Sequence, residues 1–461
     1  MRPFVLIVLF VSTSIALARD FTVSSAGDLG KAMAGLKPGD TVILADGEWR
    51  DQDLVFQAQG TEAKPVTFRA ATAGKVILVG NSSLVIDGSH VVAGGLWLKE
   101  STTSGRAIFL RGDHCRLSSC AVTGGNARNF LDITGTDHRI DHCYFADKTT
   151  DSPTIQVQVE GSPNRHRFDH NHFGPRPPLG RNGGETMRIG YSGQSMRSSG
   201  TVVEDNLFDR CDGEIEIISN KSCDNVYRSN TFRDCAGMLT LRHGNGCRVE
   251  GNFFFGGGKK GAGGIRIIGE NHVVVNNYLD DVVEGAFWIT AGIPESPLNG
   301  YFQARHCTIA FNTVVASRGV CIQTDAGMGT SGRTLLPEDI AIAGNLLNLP
   351  PGSVPARGKQ GPGFVWADNL TNLAAPGFRT VEPGLSRGPD GVWRPSTGSP
   401  CIGAAKGLAG IAADIDGQPR PDRADAGCDQ VSSAPVVHRA LSAADVGPAW
   451  MNRSVPVKAA P

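Results

Sequence analysis

Two glutamates separated by one residue mark where this chain concentrates its chemistry. The segment Glu214-Ile215-Glu216-Ile217-Ile218-Ser219-Asn220-Lys221 alternates strictly at its start. In a strand, successive side chains face opposite sides. Ile215 and Ile217 are then expected to point inward, and Glu214 and Glu216 outward, side by side. Two carboxylates on one face repel unless a positive group joins them. A hard cation such as Ca²⁺, which prefers several oxygen ligands, meets that need. Taken alone, the pattern also reads as a solvated acidic strand edge.

The neighbouring segments supply positive partners. Met238-Leu239-Thr240-Leu241-Arg242-His243-Gly244-Asn245 aligns with the first segment 24 residues on, and Gly264-Ile265-Arg266-Ile267 aligns 26 further. Met187-Arg188-Ile189 fits the same frame ahead of them. Adjacent strands lie about 4.8 Å apart. One exposed face then carries two carboxylates ringed by Arg188, Arg242, Arg266 and the nearby Lys221, with Asn182 and His243 at adjoining turns.

A cation site beside several arginines suits an anionic substrate, because the guanidinium fork matches carboxylates and sulfates. A lysine among cations loses its proton more easily. A uronate polymer fits this set. Neutralising its carboxylate acidifies the proton on C5, a base removes that proton, an acid protonates the leaving O4, and the chain breaks by β-elimination.

A repeat must position these residues. The pattern apolar-x-x-Asn-x-apolar recurs at Asn171, Asn206, Asn230, Asn252, Asn277, Asn312 and Asn345, with Cys120 and Cys143 in earlier copies. Most spacings fall at 22 to 25 residues, and four longer ones run from 28 to 35. Each unit holds two or three short alternating runs. It reads as one coil of a right-handed parallel β-helix, which stacks because one coil cannot bury its own apolar face. Asparagines at one turn position can bond to their copies above and below. The longer spacings predict loops that border a binding groove. Residues 24–33 read as a short helix capping the N-terminal end.

The motifs Asn182-Gly-Gly-Glu185-Thr-Met-Arg188-Ile-Gly190, Glu214-Ile-Glu216-Ile-Ile-Ser-Asn-Lys221, Leu241-Arg242-His243-Gly244-Asn245 and Gly264-Ile-Arg266-Ile-Ile-Gly-Glu270 resemble polysaccharide lyase family 6. That family contains alginate lyases and the dermatan-sulfate lyase chondroitinase B. The resemblance runs in order from about residue 20 to about 430, in a single-domain form. It implies Ca²⁺ held by Asn182, Glu214 and Glu216, Lys221 as the base at C5, and Arg242 as the acid near O4. It implies Arg188, His243 and Arg266 as substrate-holding residues. Glu185 and Glu270 lie within these motifs with no role assigned. Alginate is the favoured substrate because most of the family acts on it. A dermatan-sulfate lyase, a glycoside hydrolase on the same scaffold and a non-catalytic polysaccharide-binding solenoid are the alternatives. A hydrolase needs a pair of carboxylates at a fixed separation, and this face carries Lys and Arg in those places.

Composition agrees with this organisation. Among 461 residues there are 59 glycines without a collagen period, and the net charge is −1. Near-neutral charge argues against a nucleic-acid binder working through a basic surface. The glycines are expected at coil corners such as Gly213, Gly237, Gly244 and Gly269, where positive φ is needed. Residues 1–18 have a basic start, an apolar core and an Ala-Leu-Ala end, the pattern of a secretory signal peptide. The expected location is therefore secreted or periplasmic, with no membrane insertion after cleavage. Residues 19–430 are assigned to the β-helix and 431–461 to a tail of no readable pattern. Cys401 and Cys428 are the best disulfide candidates among eleven cysteines.

Overall fold

The computed structural model describes residues 17–161 and 163–451. Most of the proposed signal segment, residues 1–16, and the last ten residues lie outside the described part. Three parallel sheets, two of 14 strands and one of 12, wind together as a β-helix. Among the described residues no helix is long and apolar enough to cross a membrane.

The coil stacks on side-chain columns. Asn171, Asn206, Asn230, Asn252, Asn277, Asn312, Asn345 and Asn369 form a continuous ladder. In it each backbone N–H and side-chain amide donates to the next Asn Oδ1 at 2.9–3.1 Å. These amides are buried, so the ladder satisfies groups that water cannot reach. Beside it, Phe145, Phe173, Phe208, Phe232 and Phe254 stack with ring centroids 4.5–5.8 Å apart. The helix Ala26–Met33 closes the N-terminal end. Ser25 Oγ caps it by accepting from the Asp28 N–H, and Leu29 and Ala32 bury against the first coil.

The recurring corner before each ladder Asn is left-handed, yet it is mostly not glycine. His170, Asp205, Ser229, Asn276 and Phe311 all have φ of 51–55° there. Gly244 and Gly269 do take positive φ (85° and 102°), whereas Gly213 does not. Gly213 is needed for space: a Cβ there would lie 2.1 Å from the Gly184 carbonyl oxygen.

The parallel ladder ends at Arg379–Thr380 rather than near residue 430. The chain then forms two small antiparallel hairpins and runs back along the flank. The residues assigned to a patternless tail continue that return. Cys428 N–H bonds Thr313 Oγ1, Leu441 N–H bonds Thr231 Oγ1, Gly447 N–H bonds the His170 carbonyl, and Trp450 Nε1–H bonds the Ser119 carbonyl, each at 2.8 Å. All eleven thiols are free, Cys401 and Cys428 included, so the expected disulfide is not present. Ten of them, all but the half-buried Cys223, are buried and pack as small apolar groups.

Candidate active site

The 12-stranded sheet presents one outward row. Gln156, Arg188, Ser219, Thr240, Arg266, Trp288 and Gln323 align across successive coils. The row contains Ser219 where simple alternation placed Glu216. Ile218, not Ile215, pairs with Leu239, and Asn220 pairs with Leu241. Ile215 is 46% exposed, so the expectation that it faces the core does not hold.

The cause is local. Glu214 and Ile215 lie in a bend before the strand Glu216–Lys221. The strand then bulges between Glu216 and Ile218, and a second register shift follows between Asn220 and Lys221. Bulges re-aim side chains beside functional sites. Here the bend and the bulge, not alternation, turn both glutamates to one side.

Glu214 and Glu216 meet Glu185 there. Oxygens of the three carboxylates lie within 4.8 Å of one another, the one such group of three or more His, Cys, Asp or Glu side chains among the described residues. Glu185 Oε2 is buried with no hydrogen-bond partner. The Gly183 N–H donates to Glu214 Oε2 at 3.1 Å. Burial, and then the charges of Glu185 and Glu216, push Glu214 up to about 7. A clustered, mutually repelling, under-bonded set of carboxylates fits a hard divalent cation. Asn182 stands exposed on the same loop, one residue before Gly183.

Cationic side chains surround this pocket. Burial lowers the Lys221 ammonium from its ordinary value, opposed by Glu216 and Glu185 and reinforced by Arg188 and Arg242. Lys221 pairs in the ladder with His243, one residue from Arg242. The Arg242 guanidinium donates through Nη1 to the Gly300 carbonyl at 2.7 Å and through Nη2 to the Asn299 carbonyl at 3.3 Å. Glu216 Oε1 lies 3.9 Å from both Arg242 Nε and Arg266 Nη1. Arg188 donates to Gln156 Oε1 at 2.6 Å and reaches Glu185 Oε1 at 3.5 Å.

His243 is placed differently from expectation. It ends the strand Gly237–His243 instead of sitting in a turn, and it is fully buried behind Arg242. Its ring packs edge-on to Phe302.

Tyr301 and Arg333 are among the residues that escaped the sequence reading. The Tyr301 ring carries Arg242 at 4.1 Å, Arg333 at 4.3 Å and Arg266 at 5.6 Å from its centroid. Tyr301 lies in the long interval between Asn277 and Asn312, and Arg333 in the long interval between Asn312 and Asn345. Those intervals were legible as loops; which loop residues turn inward was not. Lys259, in a Gly-rich turn, is held by Asp212 at 2.6–2.7 Å.

Comparison with known proteins points to one family. A sequence model of the chondroitinase B family matches residues 23–357. The solved structure titled PL6 family alginate lyase AlyGC is 36% identical with a TM-score of 0.77; the match covers 82% of this chain and 55% of that one. This chain thus spans little more than half of AlyGC. A mannuronic acid specific family 6 lyase from human gut microbiota is 32% identical (TM-score 0.72), covering 79% of this chain and 91% of its own. The family 6 lyase Pedsa3628 from Pseudopedobacter saltans is 25% identical (TM-score 0.72), with 93% and 99% covered. No curated protein matches the chain.

Proposed function

Because this chain belongs to the chondroitinase B family of polysaccharide lyases, family 6, we propose that it cleaves alginate by β-elimination with the help of Ca²⁺. The observation that carries this reading is the adjacency of Lys221 and Arg242 on neighbouring strands, beside a three-carboxylate pocket. Alginate is favoured because the similar structures are titled as acting on alginate or mannuronate.

Each residue has a task in this account. Lys221, held below the ordinary lysine range by burial, takes the C5 proton. The C4–O4 bond breaks, its electron pair goes to O4, and a C4–C5 double bond remains. Arg242, whose affinity for its proton is lowered by burial and by Arg266 and Arg333, supplies the proton to O4. Arg188 and Arg266 hold the sugar carboxylates through paired N–H donors. Asn182, Glu214 and Glu216, with Glu185 beside them, would hold the Ca²⁺ ion. That ion would supply positive charge to neutralise the sugar carboxylate and the glutamates that oppose proton loss from Lys221. His243 and the carbonyls of Asn299 and Gly300 hold Arg242 in place. Export through the segment at residues 1–18 would bring the protein to its polymer.

The test is ultraviolet absorbance of the new double bond on alginate, dermatan sulfate and polygalacturonate, with Ca²⁺ or with chelator. The proposal expects a Ca²⁺-dependent rise on alginate. A rise confined to dermatan sulfate would move the substrate assignment, and no rise on any uronate would refute the lyase reading.

A further inference from the structure

We propose that Arg176 is the positioning residue of the acidic pocket, a buried cation that holds the Gly183–Glu185 loop in the form that takes a divalent ion. This rests on the cation reading of the pocket given above.

Arg176 follows the strand His172–Phe173, bridges to Cys211, and is 3% exposed. Its guanidinium is the hub of two loops. Nη1 donates to Thr154 Oγ1 at 2.7 Å and to the Glu185 carbonyl. Nη2 donates to the carbonyls of Ser152 at 2.9 Å, Gly183 at 3.1 Å and Thr150 at 3.3 Å. Every one of these acceptors is neutral, so the charge is not consumed by a hydrogen-bonded carboxylate. Its carboxylate neighbours by charge include Glu185 and Glu214. Only a planar fork with donors spread over two nitrogens reaches five oxygens in this way.

The surrounding chain is shaped to the guanidinium. A Cβ on Gly213 would lie 2.7 Å from Arg176 Nε, and one on Gly184 would lie 2.3 Å from the Gly213 carbonyl oxygen. Two missing side chains therefore let the backbones just ahead of Glu185 and Glu214 press together over Arg176. The anchored groups are the same ones that aim the pocket. Gly183 donates its N–H to Glu214, and Glu185 is itself one of the three carboxylates. Neither residue lies in a strand, and the Glu185 carbonyl accepts from the Thr154 N–H at 3.0 Å as well as from Arg176. Lys148 steadies the other loop, donating to the Thr150 carbonyl at 2.7 Å and to the Asp151 carbonyl at 3.0 Å.

The experiment compares wild type, Arg176→Lys and Thr154→Val, all stripped with chelator. Calorimetric titration with Ca²⁺ gives the affinity, circular dichroism and thermal melting give the fold, and alginate cleavage is followed across Ca²⁺ concentration. The expected result for Arg176→Lys is a loss of Ca²⁺ affinity of about tenfold or more, the range seen when groups supporting metal ligands are lost. The Ca²⁺ needed for half-maximal cleavage should rise by the same factor, with kcat restored at saturating Ca²⁺. Thr154→Val, which removes one of the five acceptors, should lose several-fold. If Arg176→Lys melts earlier but binds Ca²⁺ as wild type does, the residue is merely structural and the proposal is overturned. If Arg176→Lys does not fold, Thr154→Val decides, and unchanged affinity there overturns the proposal. Wild type that binds no Ca²⁺ refutes the cation reading itself, and this inference with it.

Discussion

Nη1 of Arg242 lies 2.7 Å from Nε2 of His243. A guanidinium only donates, so Nε2 accepts and the ring proton is assigned to Nδ1. Burial, and then the charges of Arg242 and Lys221, push His243 down to about 3, which keeps the ring neutral in this role. We propose that the histidine orients the arginine in place of the substrate contact expected from the sequence. His243→Ala should lower kcat about 10- to 100-fold, the value of one charge-assisted bond, with little change in KM. His243→Gln keeps an acceptor and should recover much of the loss. Steady-state kinetics on alginate decides between this and a rise in KM alone.

The Tyr301 ring organises three arginines through its face, not through its hydroxyl. Tyr301→Phe should therefore keep near-wild-type KM. Tyr301→Ala should raise KM about 3- to 30-fold, from roughly 0.5–2 kcal/mol per lost cation–π contact. Equal damage from both variants would assign the role to the phenol.

Acid should destabilise the fold through its buried histidines. Burial pushes His138 and His272 down to about 4, and His243 to about 3. Each folded value lies below the unfolded one of 6.5, so between those values the unfolded chain binds more protons. Their contribution to stability is complete above pH 6.5 and is lost as pH falls towards 4 and 3. Urea midpoints measured from pH 7 to pH 4 should drop, and His272→Gln should flatten the drop.

The asparagine ladder should be expensive to interrupt. Asn252 donates its side-chain amide to the Tyr227 carbonyl and Asn277 Oδ1, and its Oδ1 accepts from Asn230. Asn252→Ala leaves several buried groups unpaired and should cost roughly 2–4 kcal/mol. Denaturant titration of the variant against wild type measures it.

The coil, its asparagine column and the long rungs could be read because they repeat, and a repeat exposes its own period. The positively charged face was legible for the same reason, since Arg188, Thr240 and Arg266 share one frame. What could not be read was every departure from the period. The bulge after Glu216 moves its register, and the bend at Glu214 replaces alternation. Glu185, Tyr301, Arg333 and Arg176 act from loops or loop edges whose paths depend on contacts distant in sequence. Gly213 was read as a corner glycine, but its need is space against Gly184. The returning segment from Cys428 to Trp450 has no period at all, and its bonds go to Thr313 and Ser119 on coils far away in sequence.

The central claim is that Lys221 removes the C5 proton. The direct measurement is the initial rate of double-bond absorbance on alginate for wild type and Lys221→Ala, both shown to be folded and loaded with Ca²⁺. The account predicts a rise for wild type and a loss of about 10²- to 10⁴-fold for the variant, the usual range for a general base. A folded Lys221→Ala protein that cleaves alginate at the wild-type rate would contradict it.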